Sequence, residues 1–207
     1  MAAVRTFTLP HYSAYPVQVA LFRDVKNAEY LRSQLLAANP EFDYAFLDAA
    51  MILTPTHLSA ASFLALHAFL NSTHKTRTPH SELVFRLSPN NNIGESYKTF
   101  GITQSTTSLI AVKLPIKADG SIDSSISNES VSAHLGAVVE GQSVELSEGI
   151  EELGDAAEVH RIKKAYKITC AKGGKKGAKG INGDAGKKDD RSDIESVILG
   201  TIALKGS

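Results

Sequence analysis

Between Lys75 and Ile102 the chain reads KTRTPHSELVFRLSPNNNIGESYKTFGI, and this stretch holds its most binding-competent side chains. Lys75 and Arg77 are two cations suited to phosphate oxygens, and Asn90, Asn91 and Asn92 form a row of amides, each able to donate and accept. Asparagine is a poor former of helix and sheet, so three in succession either reverse the chain or face a ligand. As a turn, Pro89 fixes φ and one asparagine caps the helix that follows. As a site, the free amides of that helix N-terminus suit phosphate. The residues alone leave both readings open.

Other candidate chemistry is weak. GGKKGAKG (173–180) lacks the G-x-x-x-x-G-K-[ST] spacing of a phosphate loop, and no strand leads into it. The seven histidines form no H-E-x-x-H pattern, and Cys170 has no second thiol for a zinc knuckle. His57 and His67 lie in one expected helix, where core or surface roles explain them without a ligand. The acidic run Glu145, Glu148, Glu151, Glu152 and Asp155 reads as a solvated face. No nucleophile stands with a base, so neither catalytic residues nor a metal or other cofactor are expected.

The elements that carry these residues follow from hydrophobic period and caps. VQVALF (17–22) alternates as a strand; Asn27 caps a helix through Ala28, Leu31, Leu35 and Leu36 that stops at Asn39-Pro40. YAFL (44–47) is a second strand, and Thr54-Pro55 opens a helix with Leu58, Ala61, Leu64, Ala65, Ala68 and Phe69 on one face. SELVFRL (81–87) reads as a third strand, with Leu83, Phe85 and Leu87 facing one way and Glu82, Val84 and Arg86 the other. Its length would set Lys75 and Arg77 roughly 20 Å from the asparagines. Ile93–Phe100 is a short helix ended by Gly101, and TSLIAVKL (107–114) is a fourth strand.

Beyond them the chain looks helical. Val131, Leu135 and Val138 share a face before Gly141, and Asp155 with Glu158 suggests a capping box before Val159, Ile162 and Tyr166. Residues 171–191 carry one large apolar side chain, Ile181, and are expected to be a flexible Lys/Gly-rich loop. A helix restarts at Ser192 or Asp193. Its stripe of Ile194, Val197, Ile198 and Ile202 either returns to the body or meets a partner. The expected architecture is one α/β domain over 1–207, a central sheet of about four strands flanked by helices.

Composition agrees with a domain of this size. The 207 residues are 43% hydrophobic, enough for one sizeable core. Lysines and arginines balance aspartates and glutamates at 22 each, but residues 161–188 gather ten of the cations against Asp184 alone. A single cysteine and an N-terminus without a signal-like apolar core point to a reducing interior, cytosol or nucleus. The longest apolar run, LSAASFLALHAFL, is about 13 residues against the roughly 20 that span a bilayer. No membrane role is expected.

LFRDVKNAEYLR, KTRTPHSELVFRLSPNNNIGESYKTFGI and EVHRIKKAYKI, in this order and spacing, resemble the TPRKB family, the small kinase-binding subunit of the KEOPS (EKC) complex. The resemblance covers nearly the whole chain; Pro79 and His80 depart from its usual lead-in, and 171–191 is a lengthening. It implies a non-catalytic subunit in the formation of N6-threonylcarbamoyladenosine beside the anticodon of tRNA. The partners it implies are the complex's small atypical kinase/ATPase, the other subunits through that kinase, and the single-stranded CCA end of tRNA. It also implies a nuclear and cytoplasmic location, and a fungal relative has been tied to telomeres. By motif match, Lys75 and Arg77 would meet phosphate and Asn90, Asn91 and Asn92 the bases or sugar hydroxyls. Ile194, Val197, Ile198 and Ile202 would meet the kinase. A protein adaptor that stabilises the kinase without touching RNA is the alternative.

Overall fold

The computed structural model describes residues 1–117, 119–168 and 185–205, with the backbone alone for 185–190. Residues 171–184 of the expected loop lie outside the described residues. Among the described ones, aromatic residues with Val17 and Val19 favour the longest strand, β2 (Tyr12–Arg23). It pairs antiparallel with β1 (Arg5–Leu9) on one side and with β4 (Leu109–Lys113) on the other. β3 (Ala45–Asp48) pairs with β4, and the short β5 (Gln142–Val144) pairs with the end of β2. The path is β1-β2-β4-β3, antiparallel throughout.

Both faces of this sheet are covered, which the alternation within β2 makes possible. Val17, Val19 and Leu21 point into one core with α2 (Pro55–Leu70), α3 (Pro79–Leu87), α6 (Val159–Ala165) and α7 (Ala185–Leu204). Ala20 and Phe22 point into the other, against α1 (Ala28–Leu36) and α5 (Asn128–Val138). Gln18 shares that second face and donates to Asn128 Oδ1 at 2.9 Å. α4 (Ile93–Phe100) packs against α3 and sends Phe100 into the first core.

SELVFRL is helical, not a strand. Thr78 caps α3 with Pro79 at its first position, the Thr-Pro signal that also opens α2 at Thr54-Pro55. Thr78 and Ser81 exchange the two hydrogen bonds of a capping box. The helical spacing is present, with Leu83, Val84 and Leu87 on one side of α3 and Glu82 and Arg86 one turn apart on another. Over nine residues that spacing competes with the accidental alternation of Leu83, Phe85 and Leu87, which mimics a strand.

Other expectations change locally. Asn27 precedes α1, but its side chain ties α1 to the end of α5, donating to Val138 O at 2.8 Å and accepting from Glu140 N at 3.0 Å. Asp155 and Glu158 form no capping box; Asp155 pairs with Arg23 at 3.0 Å, and Glu158 stands before α6 without a capping side chain. α7 begins at Ala185 rather than at Ser192 or Asp193, because its first turns are polar and show no apolar period. Arg191, expected in the loop, donates from this helix to Leu53 O and Gly154 O.

The stripe on α7 returns to the body. Ile194, Ile198 and Ile202 are each at most 2% exposed and belong to the first core, so they are not an open partner surface. Val197 is 47% exposed and is the one member of the expected set left facing outward. Lys205 fastens the far end of α7, donating to Phe85 O and to Ser88 O (2.7 Å) with its ammonium over the Phe85 ring.

Candidate nucleic-acid interface

Helical geometry for α3 shortens the separation expected between the two candidate motifs. Nine helical residues rise roughly 14 Å, against the longer span of an extended chain. Lys75 and Arg77 precede α3, while the asparagines lie between α3 and α4.

The asparagine run is first of all a turn. Asn90 N donates to Ser88 Oγ, and Asn90 Oδ1 accepts from Asn92 N at 3.0 Å. Asn92 caps α4, its Oδ1 accepting from Glu95 N at 3.2 Å. Asn91 is exposed, and among the described residues its side chain makes no hydrogen bond. Two of the three acceptors are therefore committed to the backbone, and Asn91 keeps a free amide.

The 75–78 segment is organised around Glu82, which the strand reading grouped only with Val84 and Arg86 on one side. Glu82 is fully buried, and its Oε2 accepts from Lys75 N (2.9 Å), Thr76 N (3.0 Å) and Thr76 Oγ1 (3.0 Å). Its Oε1 accepts from Arg86 Nε at 2.9 Å. The side chains of Lys75 and Arg77 are exposed and make no ion pair among the described residues.

Arg77 lines an open cavity of about 1050 Å³ that Lys75 and the three asparagines do not line. Arg32 of α1 and Lys98 of α4 bring two more cations to it. Tyr97 is the lining aromatic that keeps part of its surface open, since Phe42 and Tyr44 are core residues with Tyr44 already stacked on Phe46 and His134, and Leu35 and Leu36 add aliphatic surface. Lys98 pairs with Glu95 at 2.7 Å, an exposed contact that contributes little and competes weakly with an incoming anion. Gly101 ends α4, where a Cβ would meet Tyr97 O at 2.7 Å.

The back wall is fixed by His80. Its Nε2 accepts from Leu114 N at 2.9 Å, so the proton sits on Nδ1, 2.9 Å from Asp43 Oδ1. Burial lowers the His80 pKa and keeps the ring neutral, against the pull of Asp43. Burial pushes the Asp43 carboxyl up, but the Nδ1–H of His80 beside it, with the Lys113 charge and a hydrogen bond from Thr78, outweighs this and holds the carboxyl below its usual range. Tyr44 and Tyr97 are pushed up to about 12 by burial and then by the Asp43 charge, so both stay phenolic. The site thus offers three cations, the protonated Tyr97 ring and a braced wall. Stacking surface beside cations is what unpaired nucleotides require.

Sequence reasoning found Arg77 here but missed Arg32, Tyr97 and Lys98. Nothing in the local pattern joins α1 to α4; only the packing of both helices near the Asp43 turn does. His57 and His67, placed on one helix, part company: His57 is buried and His67 is exposed.

Helices on both faces of an antiparallel sheet, with a cavity lined by cations of α1 and α4 and by Arg77, make this a mixed α/β domain. The family model described as kinase binding protein CGI-121 matches residues 22–206, and the chain belongs to this family, in agreement with the resemblance carried by its three motifs. A relative from Phaeosphaeria nodorum, named EKC/KEOPS complex subunit CGI121, is 58% identical over 99% of this chain and 100% of its own length. A relative of the same name from Aspergillus fumigatus is 40% identical over 99% of this chain and 97% of its own. Another from Schizosaccharomyces pombe is 34% identical over 77% of this chain and 86% of its own.

Proposed function

We propose that this protein is a non-catalytic subunit of an EKC/KEOPS complex that binds the small kinase/ATPase subunit and helps hold the single-stranded CCA end of tRNA during N6-threonylcarbamoyladenosine formation. The observation that carries the RNA part is the cavity where Arg77 meets Arg32, Lys98 and the Tyr97 ring. Cations there meet phosphates and the Tyr97 ring stacks a base, while the exposed Lys75 and the free Asn91 amide outside the cavity lining contact the rest of the strand. The kinase part rests on the family and on the outward side of α7, where Val197 and Leu204 stand 47% and 76% exposed. The protein acts in nucleus and cytoplasm with its complex.

One observation favours the adaptor reading. Asn90 and Asn92 are already used by the turn, so SPNNN needs no ligand to explain it. The two readings separate in one experiment on the full chain, with and without the kinase subunit. Retention of tRNA that depends on an intact CCA end supports RNA holding; kinase co-elution with no RNA retention supports the adaptor alone.

A further inference from the structure

A buried ion pair is weak evidence for stability, since apolar residues of similar volume in its place often stabilise a fold as well or better. Glu82 and Arg86 are such a pair, 0% and 5% exposed, one helical turn apart in α3. What a carboxylate supplies here and an apolar side chain does not is an acceptor for the loop. Three donors from Lys75 and Thr76 converge on one oxygen of Glu82. Thr76 Oγ1 also lies 3.2 Å from Thr78 O, and Thr78 is locked to Ser81 as the cap of α3.

Arg77 is therefore held between two pinned neighbours. Its side chain stays exposed at the cavity while the backbone on both sides is tied to α3. A long cation on an untethered loop loses entropy when it binds phosphate; a fixed backbone removes part of that loss beforehand.

We propose that Glu82 is the positioning residue for Arg77, gathering the backbone of Lys75 and Thr76 onto α3 so that the guanidinium is presented at the cavity. The role rests on the RNA-holding reading and adds to it a residue that never touches the ligand.

The test is a double-mutant cycle on the full chain, using a labelled single-stranded RNA oligonucleotide as probe. Glu82→Met with Arg86→Met removes both buried charges together, which keeps either from being left unpaired. In the parent, Arg77→Glu should weaken RNA binding by about tenfold; in the Met/Met background the same change should cost less than about threefold, because Arg77 is no longer presented. Amide exchange at Lys75 and Thr76 should speed up in that background while kinase co-elution stays as in the parent. Should the Met/Met protein not fold, Thr76→Val, which removes one of the three loop contacts, takes its place with a smaller change in the same direction. A full tenfold cost of Arg77→Glu in a folded background with loosened amides overturns the positioning role. If Arg77→Glu changes nothing in the parent, the RNA-holding reading fails first and Glu82 positions nothing.

Discussion

The hydroxyl of Tyr166 lies 2.9 Å from Nε2 of His57, and the same hydroxyl donates to Leu87 O, joining α6, α2 and the end of α3 through one buried chain. His57 Nδ1 accepts from Leu53 N at 3.3 Å, so the ring is neutral with its proton on Nε2. Burial lowers the His57 pKa to about 3 from 6.5. Between those values the unfolded chain takes up a proton that the folded chain refuses, so stability falls as pH falls through this window. His80 and His134, also lowered chiefly by burial, act in the same direction. Urea titrations from pH 6.5 to 5 should show this loss, approaching about 1.4 kcal/mol per pH unit for each proton taken up. His57→Gln should be less stable at pH 7 by roughly 1–3 kcal/mol but show a flatter pH profile, and an unchanged slope would contradict the neutral-core assignment.

Thr78 starts α3, so Thr78→Ala should cost about 1 kcal/mol by losing the cap, whereas Thr78→Ser should be nearly neutral. Chemical denaturation of the three proteins side by side checks this. Equal midpoints for all three would mean the capping box contributes nothing.

How far such features can be read from sequence depends on whether a face is left dry on one side only. β2, β3, β4, α2, α4 and α5 were legible because alternation, helical period or a Thr-Pro cap marked them. α3 was not, because over so short a segment the alternation of Leu83, Phe85 and Leu87 competed with the helical spacing of Leu83, Val84 and Leu87, and its Thr78-Pro79 cap was passed over. β1 was missed although Phe7 and Leu9 alternate with the exposed Thr6 and Thr8 and pack on the first core, because two apolar residues in five are too short a pattern to stand out. At the candidate site, Arg77 was legible as a cation in a specific motif. Glu82 lost its role with the wrong element, and Arg32 and Lys98 reach the cavity only through tertiary packing.

The two sides of α7 should behave differently. Ile198→Asp buries an unpaired charge in the first core and should destabilise the fold by several kcal/mol or prevent folding. Val197→Asp, on the exposed side, should change stability by less than about 0.5 kcal/mol yet weaken co-elution with the kinase subunit. Melting curves followed by size-exclusion chromatography with the kinase separate the two. A folded Val197→Asp protein that co-elutes as the parent does would move the kinase surface off this helix.

Asn91 and Arg77 should fail in different ways. Asn91→Ala leaves the turn bonds of Asn90 and Asn92 in place, so the fold should be unaffected; binding to RNA should weaken with no change in salt dependence. Isotherms at several salt concentrations check this, and a parallel loss of slope would assign Asn91 to a phosphate rather than to a base or sugar.

The measurement that bears most directly on the whole reading is the affinity of the full chain for tRNA with an intact CCA end and for the same tRNA trimmed of it, in the parent and in Arg77→Glu, across a range of salt. The parent should prefer the intact end, and Arg77→Glu should lose most of that preference, flatten the salt dependence by roughly one phosphate contact, and keep its kinase co-elution. Equal affinity of the parent for intact and trimmed tRNA, with Arg77→Glu indistinguishable from it, would contradict RNA holding at this cavity and leave the protein an adaptor for the kinase.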